Sequence, residues 1–169
     1  MVAASLARPE TQSFASVNPD RGRQASVPRI SPVQPSDAAQ AEAENRPVVL
    51  VAEDHEDSRD AMRTLLDAFG YRVVEAVNGR QAVELAVAEH PDLILMDMMM
   101  PLVDGLQATR EIRAEPSLAG VPVIALTAME GARDRVLAAG CDDLVTKPID
   151  VRAFLGRVRG WIESRRQAG

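Results

Sequence analysis

The chain has 169 residues, of which 46% are hydrophobic and 26% charged, and its formal net charge at pH 7 is −6. The acidic excess argues against a nucleic-acid-binding surface, since phosphate binding requires positive charge. No apolar run approaches the roughly 18 residues of a membrane span, and no apolar segment follows the N-terminus as in a secretory signal. Cys141 is the only cysteine, which excludes an intrachain disulfide. These features predict a cytoplasmic protein.

The first 46 residues differ in composition from the rest of the chain. They contain five Pro, six Ser and one aromatic residue, Phe14, and their five Arg balance five acidic residues. Such a segment buries too little apolar surface to offset its chain entropy, so residues 1 to 46 are predicted to form a disordered Pro/Ser/Ala-rich tail. We expect one folded domain over residues 47 to 165 and a polar C-terminal end over residues 166 to 169.

Short aliphatic runs alternate with segments of helical periodicity along the domain, which predicts an α/β fold with a doubly wound, five-stranded parallel sheet and five helices. The predicted strands are 48 to 53, 72 to 76, 93 to 97, 121 to 127 and 144 to 146. The predicted helices are 58 to 69, 80 to 89, 105 to 115, 132 to 139 and 151 to 164.

Polar residues follow four of the predicted strands. The first strand ends at Glu53-Asp54, the third at Asp97, the fourth at Thr127, and the fifth leads into Lys147. Ligands bind beyond the carboxyl ends of the strands in open parallel sheets, so we expect these side chains to meet. Each feature alone has an ordinary explanation: an acidic pair before a helix is typical of an N-cap, and Lys-Pro often precedes a helix.

Their convergence favours a metal and phosphoryl site. Carboxylates about 4 Å apart repel each other by ~4 kcal/mol at an effective dielectric constant of 20. A hard divalent cation such as Mg²⁺ relieves that repulsion. Lys147 supplies a positive charge and Thr127 a hydroxyl donor, which suit a tetrahedral anion. Asp97 is therefore the predicted nucleophile, whose attack on phosphorus would form an aspartyl phosphate.

Four spaced motifs, in this order, resemble the receiver domain of two-component response regulators over residues 48 to 163. They are Val48-Val-Leu-Val-Ala-Glu53-Asp54, Leu93-Ile-Leu-Met-Asp97 with its continuation to Gly105, Val123-Ile-Ala-Leu-Thr127-Ala128, and Ala139-Gly140 through Lys147-Pro148-Ile149. The resemblance implies the flavodoxin-like strand order 2-1-3-4-5.

The resemblance also implies a role for each site residue. Asp97 would accept phosphate from a histidine kinase or a His-phosphotransfer protein. Mg²⁺ would be bound by Glu53, Asp54, Asp97 and the backbone carbonyl of Met99. The phosphoryl-binding and switch residues would be Thr127, Ala128 and Lys147, and the peptide bond before Pro148 would be cis.

The chain departs from the family pattern at three positions. The family usually has an aromatic residue three positions before the conserved Lys, where this chain has Leu144, so we expect an atypical readout of phosphorylation. Met99 and Met129 lie two residues beyond Asp97 and Thr127. Because a thioether cannot orient an attacking water as a polar side chain does, slow autodephosphorylation is expected.

The favoured function is a stand-alone receiver that signals to an unknown downstream protein and has no enzymatic activity beyond phosphoryl exchange at Asp97. A homodimer through the fourth helix, fifth strand and fifth helix is a further expectation, with no nucleic-acid or membrane partner. Two alternatives stay open. One is a receiver-fold scaffold that works without phosphorylation, and the other is an aspartyl-phosphate hydrolase of the haloacid-dehalogenase type, whose second acid is Met99 here.

Overall fold

The computed structural model describes residues 45 to 129 and 131 to 168. Residues 1 to 44 of the predicted tail lie outside the described residues. The strands are β1 (Val48–Ala52), β2 (Arg72–Ala76), β3 (Leu93–Asp97), β4 (Val123–Thr127) and β5 (Asp143–Thr146). The helices are α1 (Glu56–Ala68), α2 (Gly79–Glu89), α3 (Gly105–Ala114), α4 (Arg133–Ala138) and α5 (Val151–Ala168), with a 3₁₀ turn at Pro116–Leu118.

The five strands form one parallel sheet in the order β2-β1-β3-β4-β5, which confirms the predicted fold class and strand order. The register aligns the carboxyl ends of the strands: Ala52 pairs with Met96, Asp97 with Leu126, and Thr127 with Thr146. The residues that directly follow these strands therefore emerge at the same edge.

The core has two layers, one on each face of the sheet. Leu93 and Leu95 of β3 belong to the cluster that packs under α1 and α5, whereas Ile94 and Met96 belong to the cluster under α2, α3 and α4. Every residue of β3 and β4 is buried. Because both faces of the central strands are covered, apolar residues do not alternate with polar ones along them, and their sequences are nearly continuous apolar runs.

Both ends of the domain differ slightly from the sequence prediction. Arg46, which the composition places in the tail, donates hydrogen bonds from its guanidinium to the carbonyls of Gly70 at 3.1 Å and Asp67 at 3.2 Å. At the other end α5 continues to Ala168, beyond the predicted end at Ser164. The polar residues of this last turn lack the apolar periodicity from which the helix was predicted. No helix within residues 45 to 129 and 131 to 168 is long and apolar enough to span a membrane.

The loop after β3 is pressed against the start of α3. Asp104 caps this helix by accepting a hydrogen bond from the amide of Gln107 at 2.8 Å. A Cβ atom at Gly105 would lie 2.1 Å from the carbonyl oxygen of Asp97 and 2.8 Å from Cε of Met98. Only glycine allows α3 to begin this close to the end of β3.

We expect Gly105→Ala to lower the free energy of unfolding by about 3 kcal/mol, since the new methyl group meets backbone that cannot move independently. Gly160→Ala is the matched control. Gly160 lies on the exposed face of α5, where an added methyl group would have nothing within 4 Å, so this change should stabilise the protein by about 0.5–1 kcal/mol. Urea unfolding followed by the fluorescence of Trp161 measures both; equal effects would contradict the close approach at Gly105.

Candidate functional site

Asp97 is the last residue of β3 and is only 5% exposed. One of its carboxylate oxygens, Oδ1, accepts a hydrogen bond from the backbone amide of Met99 at 2.8 Å. The amide of Met98 still pairs with the carbonyl of Leu126 at 3.1 Å. The carboxylate is therefore held where the strand ends, and its second oxygen points to the rest of the site.

Lys147 joins the acids of the first and third strands. Its ammonium nitrogen Nζ lies 2.7 Å from Oε2 of Glu53 and 2.5 Å from Oδ2 of Asp97. Glu53, which is 3% exposed, comes directly after β1, and its amide donates to the carbonyl of Ala76 at 3.0 Å. Burial acts to lower the pKa of Lys147, but the hydrogen bonds and negative charges of Asp97 and Glu53 outweigh burial and raise that pKa above its ordinary value.

Lys147 is the only lysine in the chain; the other 18 basic residues are arginines. An ammonium group is a compact charge with three rotatable donors, and it can contact two carboxylates and still present a donor to a third group. A planar guanidinium fits a single carboxylate better. A single lysine among 18 arginines is a feature of the sequence that marks position 147 before the structure is known.

Asp54 and His55 complete the acidic turn after β1. Carboxylate and imidazole atoms of Glu53, Asp54 and His55 all lie within 4.8 Å of one another. Nδ1 of His55 is 3.2 Å from Oδ1 of Asp54. Asp97, a predicted metal ligand, is not part of this group; its Oδ2 is engaged by Lys147 and its Oδ1 by the amide of Met99. The structure thus brings the predicted acids to one edge and adds His55, which directly follows the acidic pair.

Thr127 ends β4 and is fully buried. Its hydroxyl oxygen accepts a hydrogen bond from the amide of Met129 at 3.0 Å, and its carbonyl accepts one from the amide of Lys147 at 2.8 Å. Ala128, which is exposed, lines a pocket of about 280 Å³ together with Asp97 and Lys147. The hydroxyl of Thr127 is thus bound within its own loop, beside the pocket.

Leu144 and Pro148 lie on either side of Lys147 in the chain. The Lys147–Pro148 peptide bond is cis. Leu144 is half-buried and packs against the core cluster under α2, α3 and α4, away from the pocket that holds Asp97. Its backbone amide donates a hydrogen bond to Oδ1 of Asp143 at 2.8 Å. Leu144 therefore contributes packing to the core rather than a contact to the site.

The methionines that follow β3 divide into two groups. Met98 and Met100 are buried in the core together with Met96, whereas Met99 is 67% exposed. Met129, in the loop after β4, is 45% exposed. The two methionines at the positions that we single out from the sequence therefore do not pack in the core, and their thioethers border the site.

Arg59 is a site residue that sequence reasoning missed. Its guanidinium donates to the carbonyl of Glu53 at 3.0 Å and to that of Asp54 at 3.4 Å, and it also lies 3.4 Å from the carboxylate of Glu75 on β2. These contacts hold the backbone of the acidic turn. An arginine on an amphipathic helix is normally a solvated residue, so the sequence offered no signal for this role.

The family model for the response regulator receiver domain matches residues 49 to 159, which is most of the folded part of the chain. The chain belongs to the response regulator receiver domain family. Membership gives this receiver domain a phosphoacceptor role in two-component signalling, as the sequence predicts. It also sets the domain apart from enzymes that act on a separate substrate.

Relatives of this receiver domain include stand-alone regulators and domains of kinases. The polar-differentiation response regulator DivK of Brucella ovis is 37% identical over 116 residues, which are 68% of this chain and 94% of DivK. The receiver domain of the sensor histidine kinase PA1611 from Pseudomonas aeruginosa PAO1, solved with magnesium coordinated in its active-site cleft, is 38% identical. That match has a TM-score of 0.66 and covers 70% of this chain and 98% of the other.

A third relative supports the same fold. The receiver domain of the Francisella response regulator 1452 is 29% identical, with a TM-score of 0.65, and the match covers 70% of this chain and 98% of the other. The similarity thus extends over the whole receiver domain in each case.

Proposed function

We propose that Asp97 of this receiver domain accepts a phosphoryl group from the phosphohistidine of a histidine kinase or a His-phosphotransfer protein. The observation that carries the proposal is the ammonium group of Lys147, which touches both Asp97 and Glu53 at the edge of the sheet. A buried carboxylate with a shared positive charge and an adjoining pocket is suited to receive an anionic group.

In the transfer, one oxygen of Asp97 forms a bond to phosphorus while the bond between phosphorus and the histidine nitrogen breaks. The imidazole of the donor keeps the electron pair of that bond and takes up a proton. The charge of the carboxylate thus leaves with the donor nitrogen, where the proton neutralises it, and the phosphoryl oxygens bring their own negative charge to Asp97. Lys147 stays close enough to neutralise that phosphoryl charge, and Ala128 lines the pocket that the group would enter.

The donor set fits Mg²⁺, which prefers oxygen ligands and retains several waters. Glu53, Asp54, Asp97 and the backbone carbonyl of Met99 would hold it, and Lys147 supplies one positive charge against the two buried acids that it touches. When bound, Mg²⁺ would neutralise negative charge on the carboxylates and on the phosphoryl group. The domain's own residues position Asp97 through the amide of Met99 and fix the acidic turn through Arg59.

Phosphorylation would be reported by Thr127. Its hydroxyl oxygen accepts from the amide of Met129 in the unphosphorylated domain, and a phosphoryl group on Asp97 would offer the hydroxyl proton a charged acceptor. We expect the loop after β4 to shift as Thr127 turns. Leu144 lacks an aromatic ring, so the signal would reach a downstream protein by a readout other than an aromatic rotamer change.

We also propose a cytoplasmic location and a homodimer through α4, β5 and α5, with residues 1 to 46 as a tail.

The function is tested by incubating the protein with acetyl phosphate and Mg²⁺ and measuring intact mass. We expect a gain of one phosphoryl group, its absence when EDTA is present, and its localisation to Asp97 after borohydride trapping and peptide mapping. A protein that gains no phosphoryl group would favour the phosphorylation-independent scaffold instead. Continuous turnover of acetyl phosphate without a stable adduct would favour the hydrolase.

The lifetime of the aspartyl phosphate should be long because the exposed side chains at positions 99 and 129 are thioethers. We expect the double variant Met99→Asn with Met129→Glu to lose phosphate about tenfold faster, since each polar side chain can hydrogen-bond an attacking water. The rate of phosphate release after removal of the donor measures this. Met99→Leu with Met129→Leu is the matched control and should keep the slow rate; equal rates in both double variants would contradict the explanation.

A further inference from the structure

We propose that Met129 is a redox modification site: a peroxide oxidises its thioether to the sulfoxide, which binds Arg135 and holds the loop after β4 in its unphosphorylated form. In the reaction the sulfur gains the oxygen atom, the oxygen–oxygen bond of the peroxide breaks, and water or an alcohol leaves. Sulfur is oxidised and the peroxide is reduced. The effect on signalling rests on the proposed function, whereas the modification and its structural effect do not.

Exposure separates Met129 from the methionines of the core. Met129 and Met99 are 45% and 67% exposed, while Met96, Met98 and Met100 are buried. Peroxide must reach the sulfur atom, so accessibility sets the order of reaction. The one thiol of the chain is a poor competitor, because burial raises the pKa of Cys141 and keeps it protonated.

A cation already faces the sulfur of Met129. A guanidinium nitrogen of Arg135, on α4, lies 3.7 Å from Sδ of Met129. A thioether is only a weak acceptor, whereas a sulfoxide oxygen is polar and bears partial negative charge. The flexible methionine side chain can turn this oxygen towards Arg135. Oxidation would thus replace a weak contact by a charge-assisted hydrogen bond between the loop and α4.

The same loop carries the phosphoryl switch. The amide of Met129 donates to the hydroxyl of Thr127 at 3.0 Å, so a loop that is held through Met129 resists movement of that hydroxyl towards a phosphoryl group. A side chain pinned to Arg135 holds that amide in place. Oxidation at Met129 would therefore oppose phosphorylation, and a methionine sulfoxide reductase would reverse it.

The first experiment treats the full chain with hydrogen peroxide and follows each methionine by peptide mass spectrometry. Met99 and Met129 should gain one oxygen at least about tenfold faster than Met96 or Met98. Oxidation of Met129 no faster than that of Met96 would overturn the proposal.

The second experiment measures hydrogen exchange of the residue-129 amide by NMR before and after oxidation, without a phosphoryl donor. We expect exchange about tenfold slower in the oxidised protein, the effect of one charge-assisted hydrogen bond. In Arg135→Gln, which lacks the cation, and in Met129→Leu, which forms no sulfoxide, peroxide should leave exchange unchanged. Unchanged or faster exchange in the oxidised wild type, or equal slowing in Arg135→Gln, would overturn the proposal.

The third experiment measures the rate at which acetyl phosphate modifies the protein. Oxidised wild type should react about tenfold more slowly than reduced wild type, and Met129→Leu should react at the same rate before and after peroxide. Failure of the reduced protein to gain phosphate would refute the proposed function, but it would leave the hydrogen-exchange result of the second experiment unaffected. Equal rates for oxidised and reduced wild type would refute the regulatory effect alone.

Discussion

Asp97→Asn should abolish the phosphoryl adduct that acetyl phosphate produces. The side-chain amide of asparagine is nearly the same size as the carboxylate. It retains an oxygen that can accept the hydrogen bond from the backbone amide of Met99, so the loop after β3 stays attached at this point. An amide is a far weaker nucleophile than a carboxylate and cannot form the acyl phosphate. We therefore expect a folded protein with no mass gain above background. Intact mass after incubation with acetyl phosphate and Mg²⁺ measures it.

Asp104→Asn is the matched control for this substitution. Asp104 lies in the same loop, is exposed, and caps α3 through the amide of Gln107. Asparagine caps helices about as well as aspartate, so this variant should take up phosphate like the wild type. An adduct that persists in Asp97→Asn, for example on Asp54, would show that the acceptor is another acid.

Lys147→Met should lower the free energy of unfolding by about 3 kcal/mol, at the lower end of the cost of breaking a buried ion pair because the lysine is partly exposed. The substitution keeps the length of the side chain and removes its charge. Glu53 and Asp97 would remain as two buried carboxylates without their shared cation. Urea unfolding, followed by the fluorescence of Trp161 on α5, measures the loss.

The double variant Lys147→Met with Glu53→Gln separates charge from packing. If the cost arises from unpaired negative charge, removing one of the two acids should recover part of the stability lost in Lys147→Met. If it arises from the packing of the lysine stem, the second substitution should destabilise the protein further. A single variant as stable as the wild type would contradict the bridging role of Lys147.

Much of the fold could be predicted because the determining signals are local. The apolar runs around β3 and β4 are continuous since both faces of those strands are covered. Asn78 and Asp104, whose residue types favour the N-cap position, each cap a helix. The last turns of α5 were missed because their residues are polar and have no apolar period. Helix ends that depend on a few exposed backbone hydrogen bonds leave little trace in the sequence.

The candidate site could be predicted as a set of residues but not as a set of contacts. Glu53, Asp97 and Lys147 lie at or just after the ends of strands whose parallel pairing brings those ends together, so their meeting follows from topology. Arg59 could not be found, since its role depends on where the turn after β1 places two carbonyl groups beneath α1. His55 likewise becomes part of the acidic group only through the path of that turn.

The sequence by itself determined the α/β class, the strand that ends in Asp97 and the chemical types of the residues around it, because hydrophobic periodicity and strand-end motifs are properties of the chain. Only the tertiary structure decided which oxygens Lys147 engages and that Met129 lies against Arg135. These are distances between residues far apart in the chain or on either side of a loop. They depend on side-chain direction and packing, which residue order alone does not specify.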